Sequence, residues 1–115
     1  MEPGEYSFTM YQGATWRRQL TLKIDNAVVD LSSHHARMDI RRISDGVVLL
    51  SLSDPSSGIV LDEASPNIVV EITPAQSSLL DFEFADYLLE LVSPDGLTVD
   101  PLVKGRITLS KETTI

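Results

Sequence analysis

Two histidines, two small groups of acids and a scatter of arginines are the residues of this 115-residue chain with types suited to chemistry. His34 and His35 are neighbours, following Ser32-Ser33 in a polar stretch. Adjacent side chains on an extended backbone point in opposite directions, so the pair is poorly placed to chelate one ion, and no HxxxH or HxH spacing exists. Asp81, Glu83 and Asp86 surround Phe82 and Phe84. Facing carboxylates about 5–10 Å apart across a cleft are the machinery of glycoside hydrolysis, but so short a chain has little material for cleft walls. The expectation is that both phenylalanines anchor a corner and that the acids form its solvated rim. Asp54, Asp62 and Glu63 flank loops that could approach one another around calcium, yet their spacing matches no EF-hand, and a solvated edge is expected instead. There is no glycine-rich phosphate loop, no GxSxG, no HExxH and no cysteine. The sequence therefore predicts a protein that is not an enzyme, with no catalytic residue, no metal and no cofactor.

The arginines are more informative. Residues 16–42 hold six bases (Arg17, Arg18, Lys23, Arg37, Arg41, Arg42) against three acids, whereas residues 43–103 hold eleven acids and no lysine or arginine. Two readings fit this segregation. Basic and acidic strands pair inside the fold, or the body is dipolar and its basic face docks on an acidic neighbour, a second copy included. Arg17, Arg37, Arg41 and Arg42, expected outward on strands, are the candidate docking residues; alternate arginines on a strand can recognise carboxylates or simply keep a face soluble. The net charge of −8 argues against nucleic acid or an anionic membrane as the main partner. Single-stranded nucleic acid is further disfavoured because Trp16 belongs to an apolar face and no aromatics interleave with the bases. No apolar run approaches the ~20 residues of a membrane-spanning helix, and Met1-Glu2-Pro3-Gly4-Glu5 has neither the basic nor the apolar region of a signal peptide.

Period-two alternation must position these side chains. It recurs with turn signals between the runs, the mark of an all-β sandwich or barrel. Tyr6 to Tyr11 alternate, and Gln12-Gly13-Ala14 break the run. Trp16, Leu20, Leu22 and Ile24 then share one face against Arg17, Gln19, Thr21 and Lys23. Arg18 falls on the apolar side, which implies an edge position, a snorkelling stem or a bulge. Asp25-Asn26 suits a turn with left-handed angles. Ala36, Met38 and Ile40 alternate with Arg37, Asp39 and Arg41, and Asp45-Gly46 signals a two-residue hairpin into Val48, Leu50 and Leu52. That return strand should stop at Asp54-Pro55-Ser56-Ser57-Gly58. Shorter strands follow at Ile59 and Leu61 and at Ile68, Val70 and Ile72. Thr73-Pro74-Ala75-Gln76 carries an N-cap, a first-position proline and a capping-box glutamine, so a short helix over 74–80 is predicted to cross from one sheet to the other. A strand over 87–92, the Pro94-Asp95-Gly96 turn and a last strand at about 102–109 complete the chain, with Gly105 thinning the apolar face. A domain of this size buries about two thirds of its surface, enough for one core.

The runs "YQGATWRRQLTLKID", "ARMDIRR", "DGVVLLSL", "VVEITPAQSSLL", "YLLELVSPDG" and "LVKGRITLSKETT" together resemble a family of small tailed-bacteriophage proteins encoded among virion morphogenesis genes. They are also similar to the immunoglobulin-like N-terminal domain of phage baseplate upper proteins. The resemblance runs from about Tyr11 to Thr113. It is most specific at the Gln12-Gly13 turn, at Ala36-Arg37-Met38 with Ile40-Arg41, and at Leu89-Glu90-Leu91-Val92-Ser93. Ser33-His34 and Asp100-Pro101 depart from the family pattern, the second because proline cannot donate a hydrogen bond where the last strand starts. The resemblance offers no catalytic residues. It implies an immunoglobulin-like antiparallel β-sandwich of seven to nine strands, one domain over 1–115. It further implies a structural role in the tail, baseplate or neck of a virion, the chain being made in the cytoplasm of the bacterial host. The expected partners are other phage structural proteins, or the chain itself in a symmetric assembly. A capsid decoration or glycan-binding module is the alternative, and would need exposed tyrosines in a platform; of Tyr6, Tyr11 and Tyr87, the last is expected to be buried.

Overall fold

The computed structural model describes residues 4–53 and 58–111. The Asp54-Pro55-Ser56-Ser57 stop, and with it Asp54, lies outside the described residues. In chain order the strands are β1 (Gly4–Glu5), β2 (Phe8–Tyr11), β3 (Trp16–Leu20), β4 (Lys23–Ile24), β5 (Ala27–Val28), β6 (His35–Arg42), β7 (Val48–Ser53), β8 (Ile59–Leu61) and β9 (Ile68–Ile72). Helix α1 (Pro74–Ser78), β10 (Phe84–Val92) and β11 (Val99–Ser110) follow. Eight of these strands have three residues or more, and β1, β4 and β5 have two each.

Two sheets hold the fold. In the larger one β10 lies between β11 and β6, β7 pairs β6 on the far side, and β1 and β2 both pair β11. The smaller sheet has the order β3-β9-β8. This is the strand order of an immunoglobulin-like sandwich, with β11-β10-β6-β7 facing β3-β9-β8. All pairs are antiparallel except those of β1 and β2 with β11, which are parallel. The parallel pairs arise because the chain leaves β2 for the other sheet at β3, instead of reversing beside its neighbour. Pro101 is tolerated inside β11 because it sits at the register shift opposite Glu90, before the pairing with β1 begins at Val103.

Alternation decides what goes inside. Ala36, Met38 and Ile40 of β6, Leu89 and Leu91 of β10, and Ile107 of β11 meet Ile59, Ile68, Val70 and Ile72 of the smaller sheet in one buried cluster. The capping box forms as the sequence predicts: the Thr73 side chain accepts from the Gln76 N–H, and the Gln76 side chain accepts from the Thr73 N–H. Helix α1 carries the chain from β9 in one sheet to β10 in the other.

The long run from Trp16 to Ile24 does not stay one strand. It breaks after Leu20, where the buried Asn67 accepts from the Leu22 N–H and donates to the carbonyls of Leu22 and Val29. Asp25 and Asn26 then take φ of 53° and 64° and close the small β4–β5 hairpin, as the turn signal implies. At Asp45-Gly46 the reversal is longer than two residues. The Arg42 N–H donates to Val47 O and the Gly46 N–H to Arg42 O, with Gly46 at φ 73°.

Candidate docking surfaces

Because Ala36, Met38 and Ile40 face the core, Arg37, Asp39 and Arg41 stand on the outer face of the larger sheet. The same parity puts Asp86, Leu88 and Glu90 of β10 and Lys104 and Arg106 of β11 on that face. Register then sets the neighbours. Arg37 lies opposite Glu90, Leu88 between Asp39 and Lys104, and Asp86 between Arg41 and Arg106. The Arg37 Nε–H donates to Glu90 Oε1 at 3.0 Å, Arg41 is 3.8 Å from Asp39, and Lys104 is 4.0 Å from Glu5. The result is a checkerboard of signs around an open depression of about 520 Å³.

The four candidate arginines are not brought together. Arg37 and Arg41 share this outer face, Arg17 lies on the smaller sheet opposite Glu71 at 3.8 Å, and Arg42 sits where β6 ends. Arg42 forms a two-pronged pair with Asp45 (Nη2 to Oδ2 2.7 Å, Nε to Oδ1 3.0 Å) and donates through Nη1 to Asp81 O. This fork holds the Asp45 carboxyl below its ordinary range and the Arg42 guanidinium above its own. The linear segregation of charge thus becomes local pairing, since basic β6 lies beside acidic β10 and basic β3 beside Glu71 of β9.

The other candidate groups are also spread out. His34 is half-buried and His35 begins β6 at an exposed position. Asp62 accepts from the Glu63 N–H through its own side chain, and Asp81 pairs with Lys111 at 3.2 Å. Among the described residues no three His, Asp or Glu side chains come together as a metal would require. Phe82 is buried, but Phe84 departs from the expectation: it is exposed, with the Arg106 guanidinium 5.4 Å above its ring. The inward residues of β10 are Ala85, Tyr87, Leu89 and Leu91, so parity turns Phe84 outward.

Two surfaces emerge that the sequence does not single out. The first is one end of the sandwich, where the turn after β2, helix α1 and the β6–β7 hairpin meet. Gln12 Nε2 donates to Leu80 O at 2.9 Å, the Gly13 N–H to Ser77 Oγ at 3.0 Å, and Ser77 Oγ to Ala14 O at 2.8 Å. The Ile43 N–H donates to Phe84 O. This braced end leaves Tyr11, Ile43, Val47, Leu79 and Phe84 exposed, Leu79 at 86%.

The second surface is the open side of the sandwich, between β3 and the β1–β11 edge. Phe8 stacks on Trp16 at 4.5 Å and on Tyr6 at 5.5 Å, while the Arg18 guanidinium lies 4.1 Å over the Tyr6 ring. The Tyr87 hydroxyl, inside, donates to Tyr6 O, and burial pushes that phenol up to about 12. No protein-family model matches this chain, and no curated protein matches it in sequence. Tyr87 is buried as expected and Tyr6 has its ring covered by Arg18 and Phe8, so these two do not form a flat platform for a sugar. Arg18, on the apolar side of its strand in the sequence, was the one signal pointing to this side of the molecule.

Proposed function

We propose that the chain is a non-enzymatic structural component of a tailed-bacteriophage particle, in its tail, baseplate or neck, and that it works by rigid docking onto neighbouring proteins. The observation that carries the docking role is the braced end. Tyr11, Ile43, Val47, Leu79 and Phe84 are exposed on turns and strand ends tied to one another by hydrogen bonds. Apolar side chains held in place on a stiff scaffold lose little conformational freedom on association, which favours a fixed interface. The choice of particle rests on the resemblance of the sequence to small virion proteins. Many copies around a symmetric particle multiply a modest contact, whether the neighbour is another phage structural protein or the same chain.

Gold immunolabelling of purified particles tests this reading. Label at one defined site on the particle is expected, and particles free of the protein would overturn it. Leu79→Asp should leave the purified chain folded by circular dichroism yet prevent its incorporation into particles.

A further inference from the structure

We propose that the outer edge of β3 receives an extended acidic segment of a partner protein, which adds as a strand to the smaller sheet and sets a carboxylate against Arg18. This goes beyond a role in a particle and holds wherever the chain works.

The backbone of β3 defines the edge. On β9, the Glu71 N–H bonds Gly58 O and the Asn67 carbonyl receives the Asp62 N–H, so the odd-numbered residues of β9 face β8. Successive residues of a strand turn their N–H and C=O groups to opposite sides, so Ile68, Val70 and Ile72 bond β3 through Leu20, Arg18 and Trp16. The N–H and C=O groups of Arg17 and Gln19 therefore point away from the sheet, and among the described residues no strand pairs β3 on that side. In the sandwich plan this side of the smaller sheet normally takes the first strand of the domain. Here β1 and β2 have both gone to β11 instead.

Beneath the open edge, the gap between the two sheets is incompletely filled. A cavity of about 170 Å³ is walled by Trp16, Arg18, Leu20, Leu89 and Val103, with Tyr6 and Glu5, the latter paired with Lys104, on its far bank. A second, of about 200 Å³, adjoins it and shares the Leu20 and Val103 walls. Alternate side chains of an added strand would enter these cavities, while its backbone met Arg17 and Gln19.

Charge selects the occupant. The chain has 17 acids against nine lysines and arginines. Among the described residues Arg17, Arg37, Arg41, Arg42, Lys104 and Lys111 each have a carboxylate within 4.0 Å. Of the other three, Arg106 lies on the outer face over the Phe84 ring, whereas Arg18 and Lys23 lie at and just beyond this edge, and Arg18 Nε is buried without an acceptor. A guanidinium at the mouth of an apolar trough bars a purely apolar strand. It also opposes a second copy, whose own basic β3 would be brought to the same edge. A strand carrying a carboxylate at the inward position beside Arg18 satisfies the free donor and restores charge balance, so one residue both excludes and selects.

The test uses the whole chain and an end-blocked hexapeptide of alternating valine and glutamate, followed by Trp16 fluorescence and by amide exchange at Arg17 and Gln19. The expected result is saturable binding with new protection at those two amides, and binding weaker by roughly tenfold or more in Arg18→Gln. Arg18→Lys should retain part of it, and raised salt should weaken it. Gln19→Pro removes a donor that β9 does not use, so it should abolish binding while thermal unfolding confirms a folded chain. Equal binding of the valine–lysine hexapeptide, or undiminished binding by both Arg18→Gln and Gln19→Pro, would overturn the proposal. Protection at Arg17 and Gln19 that rises with protein concentration in the absence of peptide would overturn it too, by assigning the edge to a second copy.

Discussion

The carbonyl of Tyr6 occupies the space that a β-carbon on Gly105 would need. The same carbonyl receives the Tyr87 hydroxyl, the Tyr6 N–H donates to Lys104 O at 2.9 Å, and the Arg106 N–H donates to Ser7 Oγ at 3.1 Å. The two residues between β1 and β2 are thereby stitched onto β11. Tyr6 in turn carries the Arg18 guanidinium at the mouth of the open trough. A glycine near the end of the chain thus positions one bank of the candidate docking edge.

Gly105→Ala should therefore act locally and strongly. Its methyl group meets backbone, which cannot move aside as a flexible side chain would, and the expected loss is about 1–3 kcal/mol. Urea unfolding measures that loss. Amide exchange should show Tyr6 losing protection well before Met38 or Leu89, because the rest of the core does not depend on this contact.

Tyr87→Phe keeps the ring in the core and deletes the bond to Tyr6 O, for an expected loss of about 1 kcal/mol. The pH dependence has a definite sign. Burial favours the neutral phenol and raises its folded value to about 12 from 10.0, so the stabilisation is complete below pH 10 and is lost as pH rises towards 12. Alkaline titration followed by tyrosinate absorbance should show a late transition near 12 that is absent from Tyr87→Phe.

Local chemistry made much of this fold readable. Thr73, Pro74 and Gln76 specify a helix start within four residues, and Ala36, Met38 and Ile40 specify a core face by alternation alone. What stayed hidden depends on partners distant in sequence. Asn67 breaks the run after Leu20 by bonding Leu22 and Val29, 45 and 38 residues away, and nothing around Asn67 announces it. The arginines show the same limit. Their facing side follows from parity, but whether Arg37 is free or paired depends on which strand lies beside β6, a matter of topology. Phe82 is buried as expected, and Phe84 differs for a simpler reason. The start of β10 sets the parity, and a shift of one residue would have put Phe84 inside.

Asp45 offers a check on the hairpin end. Its carboxyl accepts from the Arg42 side chain and from the Val47 N–H, both of which lower its proton affinity. A carboxyl lowered on folding contributes stability above the ordinary aspartate range near 3.9, and that contribution is lost as pH falls through the lowered value. Carboxyl-carbon NMR should find Asp45 titrating below that range in the native chain. In Arg42→Ala it should move back upward, with the Val47 bond keeping part of the depression.

The pairing of Arg37 with Glu90 separates the two readings of charge along the chain. If these residues chiefly balance each other, a double-mutant cycle of Arg37→Ala and Glu90→Ala should return a coupling of about 0.2–1 kcal/mol, as for other exposed pairs. Arg37 is 55% exposed and Glu90 26%, so water reaches and screens the pair. The coupling should shrink as salt shortens the Debye length from about 10 Å at 0.1 M to 3 Å at 1 M. A docking role makes a different demand. Removing Arg37 alone would then weaken assembly while removing Glu90 strengthened it, because the freed arginine could reach an external carboxylate. Sedimentation of both single variants reads this difference directly. The 3.0 Å bond across β6 and β10 predicts that neither variant changes assembly and that each loses a small increment of stability, of which the coupling is the shared part.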